Sequence, residues 1–325
     1  MLRGSYVDPA AGKVTLRAFA SEWLERQTFE ESTREATESR LNAHILPVLG
    51  DLEVRAIRPS TVQGWLRSRQ AICAPRYVRV MLANLSSILG AAVEDGLIAR
   101  NPCASASVRT PAVTKGRIVP WTHARVEAVI DAHPAAYQAI PVVAAGCGLR
   151  QGEVFGLRIE DVDFLERTLH VRQQVKIVRA KIVIAPPKGR KVRDVPLPDV
   201  VAEALAERIR QYPPVQGGLI FTSREHKPLN RNYYNPKIWK PALVAAGVEP
   251  TRANGMHALR HHYASVLLDA GVSIRALAEH LGHADPGFTL RTYTHLMPSS
   301  EDRTRRAIDA AFRSSCAPDV HQGAR

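Results

Sequence analysis

The sequence contains little of what marks secreted, membrane or metal-binding proteins. Its 325 residues include only four cysteines, at positions 73, 103, 147 and 316, and no CxxC pair. A disulfide framework or a zinc ribbon is therefore not expected, and a reducing cytoplasm fits this pattern. No run approaches the roughly 20 uninterrupted apolar residues of a membrane helix, and the N-terminal MLRGSYVDPAAGKV lacks the apolar segment of a secretion signal. We expect a cytoplasmic protein with no membrane partner.

Two motifs of cofactor-dependent chemistry are also missing. The sequence has no GxxxxGK(S/T) phosphate-binding loop and no DxD-type carboxylate cluster, so neither a nucleotide nor a metal cofactor is expected. Positive charge, in contrast, is in excess: Lys and Arg total 44 against 31 Asp and Glu, a net charge of +13. This excess favours a polyanionic partner. It does not choose between DNA and RNA, and a basic surface without such a partner is the alternative.

Apolar residues recur at helical spacing in four segments between residues 14 and 99. Ser32 and Thr33 are predicted to cap the second helix, Pro59 to open the third, and Gly96 to stop the long fourth. Residues 101–116 carry prolines and small residues without periodicity and are predicted to be a linker. The sequence therefore predicts a small helical domain over residues 14–100, followed by a linker.

Residues 117–312 are predicted to form a second domain, and residues 313–325 a loose C-terminal tail. Between 165 and 197 the pattern changes to that of strands. RTLHVRQQVKIV, KIVIAPP and RDVPLP are predicted to form one three-stranded antiparallel sheet. Helices are predicted before this sheet and again after it, over 199–211, 238–246, 257–270, 273–281 and 287–295. The fold class is thus mainly α with a small antiparallel β-sheet (α+β).

Several segments contain residues of the kind that act on anions, although each is weak alone. GLRQGE places Arg150 after a glycine turn at the start of a short helix, where a guanidinium can hold an anion; a surface ion pair is the alternative. HALRHH puts His257 and Arg260 on one helix face. His257 and His261 also have a metal-ligand spacing, but no Glu lies between them as in HExxH, so a structural role is the alternative we prefer to zinc.

Three further positions carry the same ambiguity. LGHADPGFTLRTYTHL contains His283 in a glycine-bounded turn and Tyr293 ten residues later; a lone tyrosine is more often a packing residue. Lys188, in Pro187-Lys188-Gly189, lies at a predicted turn between strands, where lysines are normally exposed and inert.

The order of these motifs resembles that of the tyrosine recombinases, in particular phage and mobile-element integrases. The series is GLRxGE, a hairpin lysine before RDVPLP, HxLRH, LGH and TYTHL, and the likeness covers about 117–310. It extends more weakly over 14–100, where HILPVLGDLEVRAIRPSTVQGWL resembles the family's helical core-binding domain. The resemblance implies a core-binding domain followed by a catalytic domain. Many relatives carry a further N-terminal domain for distant arm sites; we expect here either simple sites or a missing start.

The resemblance also implies a role for each matched position. It assigns the family's catalytic positions, in chain order, to Arg150, Lys188, His257, Arg260, His283 and Tyr293. Lys181 and Lys191 lie in the same hairpin as Lys188 and remain alternatives; Lys188 is preferred because it follows Pro-Pro at near-family spacing before RDVPLP. Glu153 is expected to support its neighbours rather than to transfer a proton.

In the implied reaction, the Tyr293 oxygen attacks a DNA phosphodiester and forms a 3′-phosphotyrosine with a free 5′-hydroxyl. His257 is the candidate base, because tyrosine has a pKa of about 10 and is a weak nucleophile. Arg150 and Arg260 would clamp the transition-state charge, with a hydrogen bond from His283. Lys188 would protonate the leaving oxygen.

The implied partners are double-stranded DNA at specific recombination sites, a homotetramer on two such sites, and a directionality factor. The last residues, 303–325, would dock on a neighbouring protomer. Two alternatives stay open: a type IB topoisomerase-like enzyme, which shares this chemistry, and a catalytically silent DNA-binding protein of the same fold.

Overall fold

The computed structural model describes residues 11–113, 117–214 and 217–296, together with Arg305, Ile308, Asp309 and Phe312. The predicted tail, 313–325, and most of the predicted docking segment lie outside the described residues. The chain divides into two compact units: unit 1 contains Met1–Gly116 with Ile177–Lys181, and unit 2 contains Arg117–Lys176 with Ile182–Arg325. In the described part of the chain, no helix has the length and apolar character needed to cross a membrane.

Unit 1 is helical, as its apolar periodicity predicts. Its helices are α1 (Leu16–Arg26), α2 (Glu31–Arg40), α3 (Leu46–Leu49), α4 (Pro59–Gln70) and α5 (Pro75–Glu94), with a π-turn over Leu41–Ile45. Thr15 caps α1 by accepting a hydrogen bond from the Ala18 N–H. The apolar faces of these helices form one core, in which Trp65 and Leu85 are almost completely buried.

The predicted cap of the second helix is wrong by two or three residues. The N-cap is Glu30, which makes no side-chain capping bond, so Ser32 and Thr33 lie inside α2 rather than at its cap. The chain also continues past Arg40 through the π-turn into α3, with Pro47 near the start of α3. Proline is tolerated there because the first-turn N–H groups of a helix have no partner within it.

Unit 2 carries the remaining elements around its own core. Its helices are α6 (His123–Asp131), α7 (Ala139–Cys147), α8 (Gln151–Phe155), α9 (Asp199–Gln211), α10 (Arg231–Tyr234), α11 (Lys240–Ala245), α12 (His257–Asp269), α13 (Ile274–Leu281) and α14 (Pro286–Tyr293). The strands are β1 (Val162–Asp163), β2 (Thr168–Val171), β3 (Gln174–Val178), β4 (Lys181–Ala185) and β5 (Arg193–Pro196). All of their residues belong to unit 2 except the end of β3 and the first residue of β4, which fall in the Ile177–Lys181 segment of unit 1. The mainly α fold class with small antiparallel sheets is confirmed.

The prediction of a single three-stranded sheet is wrong in its strand membership. One sheet has the order β1-β2-β5, antiparallel throughout, and β3 pairs with β4 in a separate two-stranded sheet. The continuous segment RTLHVRQQVKIV therefore splits at Arg172-Gln173 into strands of two sheets. At this break the Gln173 side chain donates to the Gly156 carbonyl, 2.7 Å away. Because the backbone near Gln174 lies against Gly156, the chain leaves the first sheet to pack on the end of α8.

Two left-handed glycines bring separate helices of unit 2 together. Gly148 ends α7 at φ 65°, and a Cβ there would lie 2.4 Å from the ring of Tyr263 on α12. Gly282 ends α13 at φ 62°, and a Cβ there would lie 3.0 Å from the Arg193 side chain of β5. Only glycine adopts this conformation without strain and also allows such close approach. These turns place the ends of α7 and α13 beside α12 and β5.

Candidate active site

The predicted site residues come from five separate places in unit 2. Arg150 precedes α8, Lys188 lies between β4 and β5, His257 and Arg260 lie on the first turn of α12, His283 follows α13, and Tyr293 ends α14. Arg260 donates to His283 at 3.0 Å, Arg150 donates to the carbonyl of the adjacent Gly282 at 3.4 Å, and the charges of Arg260 and Arg150 act on Tyr293. The structure thus brings together side chains that are up to 143 positions apart in the sequence (150 to 293).

The buried carboxylate of Glu153 binds two arginines of the site, Arg193 and Arg150. Glu153 is fully buried and forms a two-pronged ion pair with Arg193, with N–O distances of 2.7 and 3.1 Å. Its Oε1 also accepts from Arg150 at 2.7 Å. Burial raises the pKa of Glu153, but the hydrogen bonds and charge of Arg193, followed by the charge of Arg150, outweigh this and lower it to about 2. Glu153 therefore stays ionised and orients both guanidiniums.

Arg193 was not singled out by the sequence analysis, although it completes this network. Its Nε donates to the His280 carbonyl at 2.7 Å, so it connects β5 to the end of α13. The strand alternation offered a signal, because Arg193 shares the buried face of β5 with Val195. A charged residue on the buried face of a strand needs a buried partner.

Arg260 is almost completely buried, with 1% of its surface exposed. Its guanidinium donates to the carbonyls of Gly148, at 2.7 Å, and Leu281, and to Nε2 of His283, at 3.0 Å. Burial is the main cause that lowers the pKa of Arg260, to about 9, with a further contribution from the charge of Arg150. Two positive groups are therefore held close together, an arrangement that attracts an anion.

His283 has both ring nitrogens engaged. Because a guanidinium cannot accept, Nε2 of His283 must accept from Arg260, and Nδ1 then carries the proton and donates to the Thr289 hydroxyl at 2.7 Å. Burial, and then the charges of Arg260 and Arg150, lower the pKa of His283 to about 4. In this arrangement a neutral His283 orients the guanidinium of Arg260.

Tyr293 is 99% buried, and its hydroxyl is hydrogen-bonded to Nδ1 of His261, with an oxygen–nitrogen distance of 2.8 Å. Burial raises the pKa of Tyr293, whereas the charges of Arg260 and Arg150 lower it. His257 lies one helical turn away and packs edge-on against His261, with ring centroids 4.6 Å apart. The contact to the tyrosine is thus made by His261, which the sequence analysis considered only as a metal ligand.

Of the three candidate lysines, the one that lies beside the site is not Lys188, which the sequence favoured. Lys188 lies in an exposed 3-10 turn, Lys188–Arg190, and makes no side-chain hydrogen bond or ion pair with a described residue. Lys191 is the lysine beside the site, since its ammonium donates to the His283 carbonyl at 3.2 Å. Lys181 begins β4 and belongs to unit 1.

Two other features of α12 are the buried Tyr263 and the metal-ligand spacing of His257 and His261. Tyr263 is a buried core residue that packs against Gly148, and its hydroxyl lies 3.4 Å from Nδ1 of His280. For His257 and His261, the described residues offer no group of three His, Cys, Asp or Glu side chains that could hold a metal ion.

Comparison with known proteins gives matches over both units. Residues 122–299 match the family model described as the phage integrase family, and residues 16–108 match the model of the phage integrase central domain. The chain is similar to the integrase of Mycobacterium phage L5, with 28% identity over 290 residues that cover 87% of this chain and 76% of the relative.

Two solved structures have the same fold. The Tn1549 transposon integrase in complex with transposon right end DNA has a TM-score of 0.76 at 20% identity, covering 91% of this chain and 99% of that chain. A lambda integrase tetramer bound to a Holliday junction has a TM-score of 0.67 at 18% identity, covering 85% of this chain and 79% of that chain.

Proposed function

Because the chain belongs to the phage integrase family and is a tyrosine-type site-specific DNA recombinase, we propose that Tyr293 is the nucleophile that cuts and rejoins the DNA strand. One observation carries this proposal. The Tyr293 hydroxyl is hydrogen-bonded to a histidine and lies within electrostatic reach of both Arg260 and Arg150. A phenol between a proton acceptor and two cations is suited to attack a phosphodiester.

Tyr293 attacks the scissile phosphorus, the bond to the 5′-oxygen breaks, and a 3′-phosphotyrosine remains on the protein. Negative charge grows on the non-bridging oxygens during this step, and Arg150 and Arg260 stabilise it with hydrogen bonds from planar guanidiniums. Glu153 holds Arg150 in place, and His283 orients Arg260. His257, which is exposed on the first turn of α12, is another of the proposed catalytic residues.

Lys188 supplies the proton to the departing 5′-oxygen. Its ammonium has no partner among the described residues and is free to turn toward bound DNA. Lys191 is the alternative acid because it already lies beside His283. The energy of the phosphodiester is kept in the protein–DNA bond, so rejoining requires no ATP. Arg150 and Arg260 neutralise the transition-state charge, so no metal ion is required.

The domain roles and partners complete the proposal. Residues 14–100 form the core-binding domain and 117–312 the catalytic domain, with Lys and Arg side chains that contact DNA phosphates. The working unit is a homotetramer on two DNA sites in the cytoplasm, and a directionality factor sets whether it integrates or excises. Family membership favours this recombinase over a type IB topoisomerase or a catalytically silent DNA-binding protein.

Tyr293→Phe tests the proposal, because it removes only the attacking oxygen. On a nicked suicide substrate, the wild type should form a covalent protein–DNA complex visible on a denaturing gel. The Phe variant should form none and should still shift the same DNA on a native gel. A covalent complex formed by the Phe variant would identify another residue as the nucleophile.

A further inference from the structure

The hydroxyl of Tyr293 has one hydrogen-bonding side-chain partner among the described residues, and that partner is His261. The Tyr293 oxygen lies 2.8 Å from Nδ1 of His261, and the ring centroids are 5.6 Å apart at an interplanar angle of 62°. His261 is partly buried on α12, facing the end of α14. The ring of His257 packs edge-on against the ring of His261.

We propose that His261 is a catalytic residue, the group that accepts the proton of Tyr293 during cleavage and returns it during rejoining. This inference rests on the proposed function, because it requires Tyr293 to be the nucleophile. It assigns to His257 a positioning role instead, since the ring of His257 packs edge-on against that of His261 and restricts its rotation.

The proposed role requires one tautomer of His261. The Tyr293 phenol donates to Nδ1 when that nitrogen carries no proton, and the proton of the neutral imidazole is then on Nε2. Burial, followed by the charges of His257 and Arg260, lowers the pKa of His261 to about 4. His261 is therefore neutral near pH 7 and able to accept a proton.

Binding of DNA should strengthen this base. The groups that face His261 are His257 and Arg260 from α12 and the hydroxyl of Tyr293 from α14. A phosphate held by Arg150 and Arg260 adds negative charge beside them and offsets their effect on the imidazole. The pKa of His261 then rises toward its ordinary value, where a general base works best near neutral pH.

The proton balance is complete in both directions. As the Tyr293 oxygen bonds to phosphorus and the bond to the 5′-oxygen breaks, the phenolic proton moves to Nδ1 of His261, which becomes an imidazolium. The 5′-oxygen takes its proton from the lysine acid. In rejoining, the 5′-hydroxyl gives its proton back to the neutral lysine as it attacks phosphorus, the tyrosine oxygen leaves, and His261 returns its proton to that oxygen.

His261→Asn tests the proposal, with His257→Asn as the matched control one turn away on the same helix. The Asn oxygen can replace Nδ1 as a hydrogen-bond acceptor, but it cannot take the proton. Single-turnover cleavage of a suicide substrate is measured from about pH 6 to about pH 9, where we expect a rate for His261→Asn lower by about 10²–10⁴-fold near neutral pH. The deficit should shrink about tenfold per pH unit as the fraction of ionised tyrosine rises.

Two further readouts separate a base from a structural residue. A 5′-phosphorothiolate substrate should leave the defect of His261→Asn in place, because the missing group acts on the nucleophile and not on the leaving oxygen. Added imidazole should restore cleavage to His261→Ala, which leaves room for it. This second variant decides the question if His261→Asn fails to bind DNA in a native gel.

A constant deficit of His261→Asn across the pH range would overturn the assignment, and so would failure of imidazole to restore a DNA-binding His261→Ala variant. A sloping profile in His257→Asn instead would make His257 the base. The failure of the proposed function has a different signature: the wild type would form no adduct, or Tyr293→Phe would still form one.

Discussion

Glu153→Gln removes the negative charge that pairs with both Arg193 and Arg150. Glu153 is fully buried and is shared by Arg193 and Arg150 at N–O distances of 2.7–3.1 Å. Glutamine keeps the shape of the side chain but leaves the buried Arg193 without its counter-charge. Breaking a buried ion pair from one side is far more costly than exchanging both partners for apolar groups.

The expected magnitude follows from the protonation behaviour of Glu153. Its pKa is lowered from 4.5 to about 2 in the folded protein, which corresponds to ~3 kcal/mol of folding free energy at pH 7. Because the folded-state pKa is the lower one, this stabilisation is fully present above pH 4.5 and is lost as the pH falls toward 2. The free-energy difference between wild type and Glu153→Gln should therefore decrease by about 1–2 kcal/mol between about pH 5 and pH 3.

Thermal and urea unfolding monitored by circular dichroism measure this difference at each pH. For a domain of this size, ~3 kcal/mol lowers the melting temperature by roughly 6–12 °C. Glu207→Gln is the matched control, since Glu207 pairs with Arg210 on an exposed helix surface. That variant should stay near the wild-type stability, because exposed pairs contribute little.

A loss below about 1 kcal/mol at pH 7 would refute the reasoning, since a buried pair broken from one side should cost more. So would a loss that is unchanged between about pH 5 and pH 3, because it could not come from the ionisation of Glu153.

Three further predictions concern the chemistry. Arg260→Lys should bind DNA but cleave about 10²–10³-fold more slowly, because an ammonium cannot reproduce the geometry of the guanidinium; near-normal cleavage would contradict the clamp. Lys188→Ala should be slow on ordinary DNA and should recover on a 5′-phosphorothiolate, because a thiolate leaves without a proton; selective recovery of Lys191→Ala instead would make Lys191 the acid. EDTA should leave adduct formation unchanged, because arginines neutralise the transition-state charge; loss of activity that Mg²⁺ or Zn²⁺ restores would revive the His257/His261 metal site.

The sequence alone determined the fold class and the identity of the family. Apolar spacing places the helices of both units, and the predicted start of a helix at Pro59 is confirmed, since α4 begins there. These features are local, since caps and periodicity depend on residues within one or two turns. The order of the GLRxGE, HxLRH, LGH and TYTHL motifs likewise depends only on chain positions.

The partners of each side chain were decided by tertiary structure. The split of RTLHVRQQVKIV between two sheets follows from packing on Gly156, which no strand pattern encodes. His261 and Tyr293 are 32 positions apart, and α12 and α14 bring them into contact. His257 and His261 lie in the same short motif, HALRHH, which does not indicate which of them contacts Tyr293. The packing of α14 against α12 decides that. A hydrogen bond depends on distance and direction within a fraction of an ångström, and residue spacing along the chain does not fix either.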